Sequence, residues 1–271
     1  MAGDPGPMTA PLWDPQQYLR HADHRTRPFH DLLARVGPLP RPTPRIADLG
    51  CGAGNVTALL AADRPEARVT GYDNSTRMLE QARTHAGPRL DFAEADVATW
   101  EPEETYDLIV SNALLQWVPG HTGLFPRWLD ALVPGGVLAF QVPGNFDAPS
   151  HTLLRELADS PRWHGTLGGL LRHGDAVETP EDYLARLTGH GCESDVWETT
   201  YLHLLRGEDP VLDWVKGTAL RPVLTALADD PEARDAFVLE YRDLLRDAYP
   251  AGPHGTVLPF RRVFAVARVA G

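Results

Sequence analysis

Lysine is almost missing from this chain: Lys216 is the only one, and arginine supplies the rest of 25 basic residues against 37 acidic ones. The resulting net charge of −12 disfavours nucleic acid as a partner, because phosphate binding calls for a clustered basic surface. Cysteine is nearly as scarce. Cys51 and Cys192 cannot build a disulfide framework, and neither stands at a metal-ligand spacing. The 11 histidines form no HExxH pattern and no CxxC pair accompanies them, so no metal is expected. No apolar run reaches the roughly 20 residues of a membrane span. Residues 1–12 are small, polar and proline-rich, unlike a secretory signal. A cytoplasmic protein without a membrane partner is the expectation. What is present, 43% hydrophobic and 23% charged residues over 271 positions, suffices for one sizeable α/β domain with a cap.

Residues 1–12 read as a disordered leader, and residues 13–271 as a single domain. Asp14-Pro15 predicts a helix start running to about Arg25, with Arg27-Pro28 interrupting it. A second helix, Phe29 to Val36, should end at Gly37, and the four prolines between Gly37 and Pro44 mark a linker. From Arg45 strands and helices alternate, the pattern of a parallel sheet with crossover helices. Strands are expected at Ile46–Leu49, Val69–Asp73, Leu90–Ala95, Tyr106–Ser111 and Val137–Val142. Helices are expected at Asn55–Ala62, Ser75–His85 and Leu124–Leu132, with Pro134-Gly135-Gly136 as a turn. Beyond Pro143, helical periodicity broken by glycines fills 148–190, with a helix start at Thr179-Pro180-Glu181. Cys192–Leu205 reads as a long strand, 209–248 as helices and Val263–Val269 as a seventh strand. Segments 13–44, 148–191 and 206–250 are the expected helical cap, and 45–147 the cofactor-binding half.

The strongest motif is Asp48-Leu49-Gly50-Cys51-Gly52-Ala53-Gly54-Asn55, between a strand and a helix. Its glycines follow GxGxG rather than the GxGxxG of dinucleotide sites, where a pyrophosphate sits over the helix N-terminus. That spacing, with Asp48 ahead of it, suits a ligand without phosphate that carries an ammonium. At Cys51 the backbone rather than the thiol is expected to matter. Asp73 ends the second strand, where an acid can accept from both ribose hydroxyls; a helix N-cap is its alternative. Asp96 ends the third, where it can accept from an adenine amino group, and Asn112 ends the fourth. Ligands of open α/β sheets lie outside the carboxyl ends of the strands, and these residues mark that edge.

The segments DLGCGAGN, GYDNS, EADV and SNALLQWV, in this order, resemble class I S-adenosylmethionine methyltransferases. The resemblance implies a Rossmann-like α/β fold, with a mostly parallel seven-stranded sheet, helices on both faces and a helical cap. It also implies S-adenosylmethionine held by Gly50, Gly52, Gly54, Asp73 and Asn74, with Asp96 and Val97 on the adenine and Met78 on its face. The wider chain, through WDPQQYL, RTRP, TTYLH, DWV, LRP and the terminal RRVFAVAR, is similar to the trans-aconitate 2-methyltransferase family. It is least like that family at Gly144-Asn145-Phe146 and in the stretch Gly165–Gly174. The implied reaction is methyl-ester formation on a small polycarboxylate, most simply trans-aconitate, with S-adenosylhomocysteine as the other product.

A carboxylate with a pKa near ~4 is already ionised at neutral pH, so no general base is required. The site must instead orient the nucleophile, supply cations and exclude water. Tyr18, His21 and Arg25 recur at i, i+3 and i+7 on one helix face, suited to an anion. Gln116 and Trp117 follow Asn112 by one turn. Trp214 and Arg221 stand seven residues apart in the late helices, and Tyr201 shares a strand face with His203. Of Arg261 and Arg262, ahead of the last strand, at least one is expected at the surface. Other readings are a methyltransferase for another carboxylate such as a carrier-bound malonyl group, an NAD-dependent oxidoreductase, and a cofactor-binding protein without methyl transfer. The first lacks a clear basic docking face, and the second is disfavoured by the glycine spacing.

Overall fold

The computed structural model describes residues 22–171 and 176–271, with the backbone only at 22–25. Among them one mostly parallel sheet has seven strands: β1 (Arg45–Leu49), β2 (Arg68–Asp73), β3 (Leu90–Glu94), β4 (Tyr106–Asn112), β5 (Leu132–Pro143), β6 (Glu193–Leu205) and β7 (Thr256–Arg268). Their order across the sheet is β3-β2-β1-β4-β5-β7-β6. The pairs from β3 through β5 run parallel, and β7 lies antiparallel to β5. The chain order reverses between β1 and β4, which places a crevice beyond Leu49 and Asn112. β4 is buried along nearly its whole length, with Leu108–Val110 apolar on both faces and the buried Asp107 paired with Arg41 at 2.8 Å.

The residues separate into two compact units. The first, residues 22–146, 176–203 and 259–271, holds most of the sheet with helices α1 (Ala22–Val36), α2 (Asn55–Asp63), α3 (Thr76–Ala82) and α4 (Phe125–Asp130). The second, 147–171 and 204–258, carries α5 (Pro149–Ala158) and α6 (His164–Leu167). Helix α7 (Pro180–Gly189) belongs to the first unit, and α8 (Pro210–Lys216), α9 (Arg221–Ala226) and α10 (Pro231–Ala248) to the second. Proline stands first in α5, α7, α8 and α10, where its missing N–H costs nothing. Thr179 caps α7 by accepting from the Asp182 N–H, as its sequence predicts. In the second unit α5 and α10 are joined through Tyr241, whose hydroxyl donates to the Ser150 carbonyl, and through the Ser150 N–H, which donates to the Tyr249 hydroxyl at 3.0 Å.

Two expectations need correcting here. Arg27-Pro28 does not interrupt a helix; α1 runs through Pro28. Phe29, Leu32, Leu33 and Val36 recur at i, i+3, i+4 and i+7 and are all buried in one core cluster with Val137 and Phe264. Each such burial contributes about 1.5–3 kcal/mol, enough together to outweigh the roughly 3 kcal/mol a helical proline costs. Gly37 then ends the helix at φ +69°, and Arg268 Nη2 donates to the Val36 carbonyl at 2.7 Å. The second correction concerns Pro134-Gly135-Gly136, which lies inside β5 as an irregularity rather than before it. Tyr106 pairs with Leu132 but Leu108 pairs with Val137, so the extra residues bulge out between them.

Candidate functional site

The crevice is built from the turn after β1. The Gly50 and Cys51 N–H groups both donate to the Tyr72 carbonyl, at 2.8 and 2.9 Å, fastening the turn to β2. Gly54, left-handed at φ +78°, ends the turn and starts α2. Asp73 then ties the turn to the end of β2. Its Oδ2 accepts from the Gly52 N–H at 2.9 Å and its Oδ1 from the Ser75 N–H at 2.9 Å. Burial raises the Asp73 pKa, and the backbone donors at Ser75, Gly52 and Asn74 oppose the rise. Ser75, not Asp73, caps α3, accepting from the Met78 N–H, so the carboxylate keeps lone pairs for a ligand.

Asp48 lies beneath this turn at 2% exposure, and Thr57 Oγ1 donates to its Oδ2 at 2.6 Å. Burial pushes its carboxyl up to about 6, the Thr57 bond pulls it back, and the Asp73 charge adds to the rise. From the ordinary value of 3.8 to about 6 the folded chain therefore binds more protons than the unfolded one, and stability falls as pH rises through that window. Asp48→Asn is expected to flatten this part of the stability profile. Urea midpoints at about pH 4 and pH 7 measure it, and a slope unchanged from the parent would refute the assignment. The Cys51 thiol is buried and pushed far up by desolvation and by the two neighbouring carboxylates, so it stays protonated at neutral pH.

Around this centre Met78 and Val97 are buried, while Asn74 is exposed. Asp96 is exposed, with Oδ1 accepting from the Ala98 N–H at 3.0 Å and leaving Oδ2 available. Beyond β4, Ala113 is left-handed at φ 57°, a strained conformation held from both sides. Its N–H donates to the Gln141 carbonyl at 2.9 Å, and its carbonyl accepts from Gln116 Nε2 at 2.6 Å. Gln116 is thereby buried at the crevice, with Trp117 half-buried beside it. Asn112 Oδ1 accepts from Gln141 Nε2 at 2.5 Å, and Gln141 Oε1 accepts from Arg262 Nη1 at 2.9 Å.

The remaining acceptor candidates divide. Tyr18, His21 and the Arg25 side chain lie outside the described residues. Tyr201 is buried and its hydroxyl donates to Asp31 Oδ2 at 2.6 Å, so it links β6 to α1. His203 stacks beside it on the same strand face. Trp214 is 2% exposed in the second unit, and Arg221 is half-exposed at the start of α9 in the same unit. Arg261 reaches the surface, paired with Glu198 Oε2, whereas Arg262 is buried. Both lie within β7, which begins at Thr256 rather than Val263. Gln141 escaped the sequence reading, yet a lone amide in the apolar run Val137–Val142 was a usable signal.

A parallel sheet with this strand order, an antiparallel β7 and a glycine turn at its reversal point define a class I methyltransferase fold. A Methyltransferase domain model matches residues 46–136. The chain is 70% identical over 267 residues to the trans-aconitate 2-methyltransferase of Streptomyces coelicolor, covering 97% of this chain and 88% of that one. It is 45% identical over 262 residues to the trans-aconitate 2-methyltransferase of Mycobacterium tuberculosis, covering 96% and 98%. The chain belongs to the trans-aconitate 2-methyltransferase family. Among solved structures, the YcgJ protein of Bacillus subtilis aligns with TM-score 0.59 at 13% identity over 92% of this chain and 99% of that one. Haemonchus contortus phosphoethanolamine N-methyltransferase 2, in complex with S-adenosyl-L-methionine, aligns with TM-score 0.52 at 21% identity over 90% of this chain and 53% of that one. Both structural likenesses show the fold.

Proposed function

We propose that this chain is an S-adenosylmethionine-dependent O-methyltransferase that converts one carboxylate of trans-aconitate into its methyl ester. For the acceptor, the supporting observation is the 70% identity that extends across 97% of the chain. For the cofactor it is the turn itself. An added Cβ on Gly52 would meet no protein atom within 4 Å, so the backbone leaves room for a ligand edge beside Asp73. When bound, S-adenosylmethionine supplies an electrophilic methyl group on a positively charged sulfur. Asp73 accepts from the ribose hydroxyls, Asp96 accepts from the adenine amino group, and Met78 and Val97 supply apolar contact to the ring. Asp48 contributes negative charge beneath the turn, favourable to an ammonium.

The protein has no proton to remove, since the attacking carboxylate is ionised well above its pKa of ~4. Its task is alignment, which in favourable cases contributes up to ~7–11 kcal/mol. Gln116 and Trp117 border the crevice on the β4 side. The activity itself is tested with radiolabelled methyl and mass-spectrometric detection of the ester over a panel of di- and tricarboxylic acids. Absence of label on every member would overturn the reading.

A further inference from the structure

The segment that follows β4 bears on the glycine turn as well as on the crevice. Ala113 is left-handed and its N–H donates to the Gln141 carbonyl, so the chain bends sharply there. Leu115 is fully buried in one core cluster with Leu49 and Phe140. Leu114, between the two, is half-buried and packs against that cluster. Its side chain occupies the space beside Gly50. A Cβ added to Gly50 would stand 2.7 Å from Leu114 Cδ2 and 2.9 Å from its Cβ and Cδ1, well inside carbon contact distance. Gly50 admits Leu114 because it has no side chain of its own.

Backbone bonds carry that contact to the crevice. The Trp117 N–H donates to the Leu114 carbonyl at 2.8 Å, so the residue seated on Gly50 also holds the short turn Leu115–Trp117. Gln116 braces the same turn, its Nε2 donating to the Ala113 carbonyl at 2.6 Å. Farther along, His121 anchors the segment to α7. A carbonyl only accepts, so His121 Nδ1–H donates to Val118 at 3.2 Å, and Nε2 accepts from the Tyr183 hydroxyl at 2.7 Å. Burial lowers the His121 pKa and keeps this neutral form. Both ends of the segment are thus fixed. Between them, Leu114 sets how closely it approaches the glycine turn.

We propose that Leu114 is a positioning residue for methyl transfer, holding the turn that borders the acceptor at a fixed distance from the turn that holds the cofactor. This rests on the reading of the chain as a methyltransferase whose cofactor lies on the turn after β1. In-line displacement tolerates little error, and a misplacement of about 1 Å can cost ~100-fold in rate. A branched apolar side chain wedged against backbone is a stiff spacer, because a packed interior yields little. Leu114 takes no part in the chemistry; it acts through Gly50 and Trp117.

The test uses the full chain and begins with the parent protein. If the parent transfers no methyl group to trans-aconitate or to any other polycarboxylate, the activity reading fails and Leu114 loses its role with it. If it turns over, Leu114→Ala is expected to lower the single-turnover rate at saturating acceptor about 10- to 30-fold. The dissociation constant of S-adenosylhomocysteine, read by calorimetry, should move less than about threefold. Leu114→Met, which keeps the volume, should recover most of the rate. Leu114→Val, a smaller truncation, should lose about three- to fivefold even if Leu114→Ala does not fold. The control is Leu187→Ala on α7, fully buried in the core cluster that Leu114 packs against. Assayed at a temperature where circular dichroism shows both variants folded, it should keep the parent rate within about twofold. Equal rate losses at Leu114 and Leu187 would make Leu114 a packing residue only. A parallel fall in S-adenosylhomocysteine affinity would assign it to cofactor binding, and a loss confined to the acceptor KM would assign it to the acceptor pocket. Each of these results, like an unchanged rate in Leu114→Ala, overturns the positioning role while leaving the proposed activity standing.

Discussion

Asp73→Ala is expected to weaken S-adenosylhomocysteine binding about 100- to 1,000-fold, with the sheet still folded. Hydrogen bonds to a charged acceptor contribute about 1.5–3 kcal/mol each, and two ribose hydroxyls converge on this carboxylate in the proposed complex. A loss of about 3–4 kcal/mol corresponds to that range of affinity. The substitution also strips the Gly52 N–H of its acceptor, so the turn loses one of its ties to β2 along with the ligand contact, while the Gly50 and Cys51 bonds to Tyr72 remain. Asp73→Asn retains one acceptor oxygen and should fall between the two. Because burial raises the Asp73 pKa, the parent protein should also lose affinity as pH is lowered, by protonation of the same group. Isothermal titration with S-adenosylhomocysteine measures both effects. An alanine variant binding within about threefold of the parent would remove the nucleoside from the end of β2.

The turn after β1 and the strand ends around it were legible because their signals are local. A parallel strand, a glycine turn and an acid at the next strand's end sit within a few residues of one another. Asp48, Gly52 and Asp73 accordingly came together at the reversal point of the sheet. Pro28 misled because local propensity marked a break, whereas the four apolar residues that follow it bury against distant strands. Arg262 was hidden for a related reason. Two adjacent arginines in one strand point to opposite faces, so one pairs with Glu198 at the surface while the other is buried under Phe260. Composition ranks them alike, and only the register of β7 against β5 tells which is which. Tyr201 matched the expected strand face, but its partner Asp31 lies 170 residues earlier, beyond the reach of any periodicity argument.

Gly54→Ala should cost about 2–5 kcal/mol of stability, a substantial part of the margin of about 5–15 kcal/mol that holds a domain of this kind folded. Two costs combine. At φ +78° a side chain meets the left-handed penalty of about 1–2 kcal/mol. The new Cβ would also stand 2.8 Å from the Ala82 Cα and 2.9 Å from the Phe92 ring, and the first of these is backbone that cannot swing aside. Overpacking of that kind adds about 1–3 kcal/mol. Gly52 separates packing from binding. It is also left-handed, at φ +56°, but its added Cβ meets no protein atom within 4 Å. Gly52→Ala should therefore lose only the conformational part of the stability, while its methyl group fills the side left open for the cofactor. In thermal unfolding Gly54→Ala should fall by about 5–15 °C and Gly52→Ala by a few degrees at most. In titration with S-adenosylhomocysteine, Gly52→Ala should show the greater loss per kcal/mol of stability given up. If Gly52→Ala bound as tightly as the parent, the open side of the turn would face away from the ligand, because a methyl group there could not be ignored by a nucleoside lying against it.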